Sequence, residues 1–205
     1  MTFPTSFARA IVPMAIVATV ATPAFAQSAD IKAVQASLAA TSTLTANFVQ
    51  TDRKGRSLRG TLALKRPGKI RFAYGDGVNA LMVGDGKTLH YLDYEVNQHS
   101  KWSINNTPLA ILLSPNPEIG RIARIEKSEN PQVVVVRARD ARRPEFGTLY
   151  LAFTRSGSAP GGLLLEGWTA VDAQNKRTVV RLSNQRYNVA VPDSSFTFAP
   201  VKKKA

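Results

Sequence analysis

The chain of 205 residues carries 27 Lys and Arg against 14 Asp and Glu, a net charge of +13, and it contains no cysteine. The lack of cysteine excludes disulfides, thiolate catalysis and zinc–thiolate sites. An excess of positive charge is typical of nucleic-acid binders. The N-terminus, however, predicts export of the protein from the cytoplasm, which argues against a nucleic-acid partner. The basic surface is therefore either simply solvated or attracted to anionic membrane lipids.

The N-terminus has the pattern of a secretory signal peptide. One charge, Arg9, precedes the apolar stretch 10–22, which is long enough for a signal-peptide core and too short to span a membrane. Small residues then precede Gln27 at the two positions that a signal peptidase reads. The sequence therefore predicts removal of residues 1–26 and a mature domain, 27–205, in the periplasm of a Gram-negative cell.

The mature chain begins with one predicted helix and continues as short strands. Residues 28–40 place Ile31, Val34 and Leu38 at helical spacing, which indicates one apolar face. From Thr43 onward the apolar residues alternate with polar ones, as in half-buried strands. Strands are predicted from Thr43 to the turn at Asp52, over 57–66, around Ile70 to Tyr74, and over 80–83, 87–93, 97–104, 121–128, 132–138, 148–155, 163–171 and 176–186. Turn-forming residues separate most of these strands, so an antiparallel meander is predicted.

One apolar segment, residues 108–114, interrupts the series of strands. Thr107 is predicted to cap a short helix whose first residue is Pro108, because proline is well suited to the first helical position. Together with the first helix, this segment could cover one face of the sheet.

The sequence shows no pattern that predicts catalysis. His90 and His99 have no cysteine or carboxylate at metal-ligand spacing, so no metal site is predicted. There is no Gly-x-Ser-x-Gly motif, and Gly75-Asp76-Gly77 is predicted to be a turn rather than a phosphate-binding loop. We therefore expect no catalytic residue, no metal and no cofactor.

A set of apolar side chains is predicted to share the concave face of the curved sheet. Its members on the strands are Phe48, Leu62, Leu64, Ile70, Phe72, Tyr74, Met82, Leu89, Tyr91 and Trp102, and Leu109 and Leu112 of the short helix join them. Two interpretations are open: a core filled by these side chains, or a hollow that accepts a ligand.

Arg66 stands out because alternation places it on the same face as Leu62 and Leu64. A guanidinium among leucines needs hydrogen-bond acceptors, and the carbonyls at the end of a covering helix would supply them. The alternative is that Pro67 ends the strand and lets Arg66 face solvent.

Several of these residues carry a resemblance to a known family. They are, in chain order, Phe48-Val49-Gln50, Gly60, Lys65-Arg66-Pro67-Gly68, Arg71-Phe72, the run from Val83 to Leu89, and Phe196-Thr197-Phe198 with Pro200. Their order and spacing resemble the LolA family of periplasmic lipoprotein carriers over almost the whole mature chain. The resemblance implies a mainly β fold with some α: an open, incomplete antiparallel β-barrel whose apolar concave face is covered by short helices acting as a lid. It also implies that Arg66 latches this lid.

The function implied by the resemblance is transport without catalysis. The carrier, expected to be a monomer, would receive acylated lipoproteins from the inner-membrane exporter LolCDE and deliver them to a LolB-type acceptor or to the outer-membrane surface. The chain departs from longer members by ending five residues after Pro200, where residues 202–204 are all lysine. This basic tail suggests direct docking on an anionic surface. The alternatives are a lipid-binding or lipoprotein-sensing module of the same fold, an exported hydrolase and a nucleic-acid binder.

Overall fold

The structure is a computed structural model that describes residues 23–75 and 77–202. Residues 1–22 of the predicted signal peptide and the last lysines of the basic tail lie outside the described residues, so export and the domain boundary at residue 27 stay predictions. The helices are α1 Pro23–Ala40 and α2 Ala110–Leu113. The strands are β1 Thr43–Thr51, β2 Ser57–Lys65, β3 Lys69–Tyr74, β4 Ala80–Asp85, β5 Thr88–Asp93, β6 Gln98–Ser103, β7 Ala123–Glu126, β8 Val133–Ala138, β9 Thr148–Arg155, β10 Leu163–Val171 and β11 Arg177–Tyr187.

All these strands form one antiparallel sheet in the order β6-β5-β4-β3-β2-β1-β11-β10-β9-β8-β7. Neighbours are consecutive in the chain everywhere except at the centre, where β1 pairs with β11. Strands β6 and β7 form the two edges and do not pair with each other, so the sheet does not close. The predicted open antiparallel architecture is confirmed.

The sheet curls strongly, because side chains from its two halves meet. The rings of Phe72 in β3 and Trp168 in β10 lie 6.1 Å apart, centroid to centroid. These strands are four positions apart in the sheet, and a flat sheet would separate them by about 19 Å. We call β1 to β6 the first wall and β7 to β11 the second wall; the interior lies between them.

Helix α1 covers one end of the interior and begins at Pro23, five residues before the predicted start at Ser28. Its apolar residues are not concentrated on one face over its full length, so the predicted amphipathic character is not confirmed. Val34 and Leu38 are buried, and the hydroxyl of buried Ser37 donates a hydrogen bond to the Leu163 carbonyl at 3.1 Å. The helix approaches Gly161 so closely that a Cβ there would lie 2.7 Å from the Ser37 backbone. Helix α1 thus sits directly on the turn between β9 and β10.

The connection between β6 and β7 carries α2 and corrects one prediction. Helix α2 starts at Ala110, two residues later than predicted, and Thr107 does not cap it. Thr107 instead ends a 3-10 turn, Ile104–Asn106: both its N–H and its hydroxyl donate to the Ile104 carbonyl, at 3.0 and 2.8 Å. The Thr107 hydroxyl, which the sequence pattern assigned to the cap of α2, is therefore hydrogen-bonded within the preceding 3-10 turn.

The chain after β11 crosses the outer face of the first wall. Val191 and Phe196 are buried there against Leu81, Val83 and Leu92 of β4 and β5. We call residues 189–201 the C-terminal segment. It is held at its edge by ion pairs whose Nζ–Oδ1 distances are 2.7 Å for Lys65–Asp193 and 3.0 Å for Lys69–Asp193.

Candidate functional site

Strand register places all ten predicted strand residues on the inner face of the first wall. Three cross-strand rows account for them: Phe48, Gly60 and Tyr74; Leu62, Phe72, Met82 and Tyr91; and Leu64, Ile70, Gly84, Leu89 and Trp102. In the first row Gly60 leaves room for the Phe48 ring, since a Cβ at Gly60 would lie 2.9 Å from it.

The members of this set differ in how deeply they are enclosed. The side chains that are buried in the interior are those of Phe48, Leu62, Leu64, Ile70, Phe72, Leu89 and Leu112. Tyr74, Met82 and Leu109 are half-buried and pack against them. Burial raises the pKa of Tyr74 to about 12, with a smaller contribution from Tyr91, and the Tyr74 hydroxyl donates to Gln50 at 3.1 Å.

Two members of the predicted set are not enclosed. Trp102 is 47% exposed, and Tyr91 is half-buried outside the interior cluster. Both share the inner face by register, but Trp102 lies on the edge strand β6, where no further strand covers it. They therefore form a partly exposed rim at the open edge of the first wall.

The second wall contributes as much of the interior as the first and was missed in the candidate set. Its buried side chains are Val134, Val136, Leu149, Leu151, Phe153, Leu163, Leu165, Trp168, Val180 and Leu182. The alternation that identifies β1 to β3 is present in β8 and β9 as well, where every second residue is buried. That pattern could have extended the candidate set to both walls.

In this conformation the interior is filled by the protein's own side chains. The cavity that remains beneath α1 and α2, lined by Leu44, Leu64, Leu112, Phe153 and Tyr187 among others, has a volume of about 10 Å³. That is close to the minimum for one water molecule. Of the two interpretations that the sequence left open, the filled core is the one that this conformation shows.

Arg66 joins the two covering helices to the first wall. Its Nε donates to the Leu112 carbonyl in α2 and its Nη1 donates to the Thr41 carbonyl just after α1, both at 2.7 Å. These carbonyls belong to the C-terminal ends of the helices, where the backbone lacks intrahelical partners. Burial lowers the pKa of Arg66 to about 10, so the guanidinium remains charged at neutral pH. The side chain therefore does not face solvent, the alternative that Pro67 left open.

The turn after β2 holds α2 at a second point. The Gly68 N–H donates to the Leu113 carbonyl at 3.0 Å, next to the carbonyl that Arg66 binds. Gly68 adopts φ +73°, and a Cβ there would lie 2.4 Å from the Gly86 carbonyl oxygen. A glycine is required at this position both by the backbone conformation and by the close approach of the β4–β5 turn.

The two histidines lie away from the interior. His90 Nδ1 and His99 Nε2 are 3.0 Å apart, and His90 Nε2 lies 2.9 Å from Asp85 Oδ2. Both rings contact Phe198 of the C-terminal segment, with centroids at 4.7 and 5.7 Å. Among the described residues, no group of three or more His, Cys, Asp or Glu side chains could hold a metal ion.

Comparison with known proteins decides the family. The family model described as "Outer membrane lipoprotein carrier protein LolA" matches residues 39–199, which include both walls, both Arg66-bound carbonyls and most of the C-terminal segment. The chain belongs to the LolA family. The resemblance drawn from the motifs is thereby confirmed.

Named relatives extend over the same length. The chain is 30% identical over 197 residues to an outer-membrane lipoprotein carrier protein of Chromobacterium violaceum, covering 92% of this chain and 91% of the relative. It is 28% identical to the protein of that name from Idiomarina loihiensis, covering 82% of each. A crystal structure of a DUF1329-family protein from Desulfovibrio piger shares the fold, with a TM-score of 0.51 at 9% identity over 86% of this chain and 98% of that one.

Proposed function

We propose that the chain is a periplasmic carrier that binds the acyl chains of outer-membrane lipoproteins between the two walls, after α1 and α2 have moved aside. The names of the relatives support a carrier rather than an enzyme. The predicted signal peptide supports the periplasm, and no helix among the described residues is long and apolar enough to cross a membrane. The interior supports the ligand class, because its lining is apolar on both walls.

The single observation that carries this proposal is the pair of hydrogen bonds from Arg66 to the ends of both covering helices. A guanidinium whose partners are carbonyls of two separate helices holds the lid closed as one unit. The same contact would be an unusual choice for a permanent core, because a charged group is costly to bury compared with an apolar one of similar size.

The energetics explain why a carrier needs such a latch. Burial of an acyl chain contributes about 0.8 kcal/mol per methylene, so about fifteen methylenes contribute roughly 12 kcal/mol. A cargo bound that tightly would not be released. Hydrogen bonds from a charged donor contribute about 1.5–3 kcal/mol each, so two of them favour the closed, empty state enough to lower the net affinity for cargo by several powers of ten.

The cargo-contacting residues are proposed from the lining. They are Phe48, Leu62, Leu64, Ile70, Phe72, Tyr74, Met82, Leu89, Tyr91 and Trp102 on the first wall, with Leu109 and Leu112 on the lid. Tyr91 and Trp102, at the partly exposed rim, would contact the cargo first as the lid opens.

The route of the cargo is proposed from membership of the family, and it agrees with the chemistry of an acyl chain. An acyl chain has to be shielded from water at every step, so we propose that the carrier receives it from an inner-membrane exporter of the LolCDE type. It would then deliver the cargo to a LolB-type acceptor or directly to the outer membrane, working as a monomer without a cofactor.

The test is to identify what the protein holds. The full chain is purified from periplasm without detergent, and the bound molecules are extracted and analysed by mass spectrometry. Triacylated lipoprotein peptides are the expected result. Phospholipid or glycolipid alone would overturn the lipoprotein proposal in favour of a lipid-binding module of the same fold.

A further inference from the structure

A cleft rich in arginine lies at the free edge of the second wall. It has a volume of about 630 Å³, and the arginines that line it are Arg121, Arg124, Arg137, Arg139 and Arg142. We call these five residues the arginine cleft. They come together because β7 pairs with β8, so that Arg124 lies directly opposite Arg137, and because the Arg139 N–H donates to the Ile122 carbonyl at 3.0 Å.

The cleft holds more positive charge than the fold requires. Like charges that face each other across neighbouring strands destabilise a sheet. Arg137 is compensated by Glu126, with Nε and Oε1 2.6 Å apart, whereas Arg121, Arg124 and Arg139 have no carboxylate within ion-pair distance in the described part of the chain. Four of the five arginines are exposed.

Asp140 is the carboxylate that lines the cleft, and it is already satisfied. It accepts a hydrogen bond from the backbone N–H of Arg142 at 3.0 Å, its Oδ2 lies 3.0 Å from Arg143 Nε, and its Oδ1 lies 3.5 Å from the side-chain Nε of Arg142. The contacts with Arg142 and Arg143 hold the pKa of Asp140 below its usual range. The charge of the other exposed arginines of the cleft is therefore available to an external anion.

The cleft adjoins the lid. Ile122 lines both the arginine cleft and a second groove of about 300 Å³, whose walls include Ala110 and Ile111 of α2 together with Glu118 and Arg143. Arginines beside a half-exposed apolar helix are the combination that suits a bilayer surface. The guanidiniums bind lipid phosphates and the apolar residues contact the acyl boundary.

We propose that the arginine cleft is a docking site for the anionic headgroups of a phospholipid bilayer, and that docking there sets α2 against the membrane surface. The proposal of a docking site is argued from the charge and shape of the cleft alone. The further idea that docking brings the lid to the membrane where cargo is exchanged rests on the proposed function.

The experiment measures flotation of the mature chain, residues 27–205, with vesicles. One vesicle is an equal mixture of phosphatidylcholine and phosphatidylglycerol, and the other is phosphatidylcholine alone. The test variant replaces four exposed arginines of the cleft: Arg121→Gln, Arg124→Gln, Arg139→Gln and Arg142→Gln. The control variant removes equal charge from exposed residues of the β1–β2 turn and the start of β2, near the centre of the sheet: Arg53→Gln, Lys54→Gln, Arg56→Gln and Arg59→Gln.

We expect the parent to bind the anionic vesicles and not the neutral ones, and to be released by high salt. Each basic residue near an anionic surface strengthens binding about fivefold, so the cleft variant, which lacks four, should bind on the order of 600-fold more weakly. The control variant should stay within a few-fold of the parent. Equal losses in the two variants would show a diffuse charge effect and overturn the docking site, as would unchanged binding of the cleft variant.

Two further measurements keep the outcomes distinct. The double variant Arg121→Gln/Arg142→Gln alters only turn residues and should weaken vesicle binding in the same direction, so misfolding of the fourfold variant would not obscure the result. Soluble polyglutamate that binds the parent while anionic vesicles do not would assign the cleft to an acidic protein and overturn the membrane proposal. None of these measurements involves cargo, so their outcome is independent of what the interior carries.

Discussion

In the first wall, the outer face of β4 and β5 is buried beneath the C-terminal segment, whereas the outer face of the second wall remains half-exposed and forms an open groove of about 820 Å³ between Val135, Tyr150, Thr169 and Val179. Strand β5 therefore buries side chains on both faces and β4 buries them on its outer face, whereas β8 and β9 bury them only on the interior face. The wall that carries the latch is thus fixed from both sides. The opening required by the proposed function would therefore involve α1 and α2 rather than the first wall.

The largest effect is expected from removing the anchor of the C-terminal segment. Phe196 is buried against the first wall, 5% exposed, and Phe196→Ala should lower the free energy of unfolding by about 3–4 kcal/mol. Denaturant titration measures this loss. The control is Val179→Ala on the outer face of the second wall, which should cost about 1 kcal/mol or less. Similar losses for both variants would contradict the contrast between the two walls.

The next largest effect is expected at Arg66, and it concerns the rate at which cargo is discharged rather than the stability of the fold. Arg66→Leu removes both hydrogen bonds to the lid, so the protein should fold and take up cargo but discharge it at least about tenfold more slowly, because the open, loaded state is favoured. Transfer of a fluorescent acylated peptide to acceptor vesicles measures the discharge rate.

The neighbouring residue provides the control for the latch. Lys65 also binds a backbone carbonyl and a carboxylate, but on the outer face, at Val191 and Asp193. Lys65→Met should loosen the C-terminal segment and leave the discharge rate at the parent value. Equal discharge rates for Arg66→Leu and the parent would exclude the latch.

The contact of α1 with the second wall can be isolated by two adjacent glycines. Gly161 and Gly162 both adopt positive φ, +63° and +78°, so alanine at either strains the backbone by about 1 kcal/mol. Only at Gly161 would the new Cβ also meet Ser37 of α1. Gly161→Ala should therefore expose the interior to amide hydrogen exchange and to a hydrophobic dye more than Gly162→Ala does. Identical responses would mean that α1 does not depend on this contact.

The smallest expected effect is a pH dependence at the outer face of the first wall. Burial, then Lys101 and His90, lower the pKa of His99. The folded state therefore takes up a proton at His99 less readily than the unfolded state does, so stability is full above the ordinary histidine pKa of about 6.5 and is partly lost as the pH falls below it. Hydrogen exchange of the C-terminal segment between neutral and mildly acidic pH measures the loss, and His99→Gln should reduce its pH dependence. An unchanged slope in His99→Gln would assign it to other groups.

Much of the fold could be predicted from the sequence because alternation is a strong local signal. The strands start and end within a few residues of their predicted bounds, and β9 and β10 match them. The predictions that failed are those in which contacts outside the sequence pattern decide the structure. Thr107 carries a good capping pattern, but the preceding 3-10 turn uses its hydroxyl, and no local pattern shows that the C-terminal segment folds back over β4 and β5.

The candidate site shows the same limit. Alternation placed the first-wall residues on one face, but it could not say whether Arg66, at a strand end before proline, turns inward. That orientation depends on the carbonyls of Thr41 and Leu112, which are 25 and 46 residues away in the chain. Trp102 has the right parity but lies on an edge strand, and the edges of a sheet are set by the order of strands rather than by any one of them.

A single side chain fastens two separate helices, and this has a consequence for which molecules can be carried. Detaching one helix alone would break one of the two hydrogen bonds while gaining little room, so on the proposed function both helices would release together. Entry would then have a threshold: a ligand with one short alkyl chain would gain too little to displace Arg66 from the helices, whereas several long chains entering together would exceed it. On the proposed function, the arginine would thereby make the protein sensitive to the number of chains and not only to their apolar character.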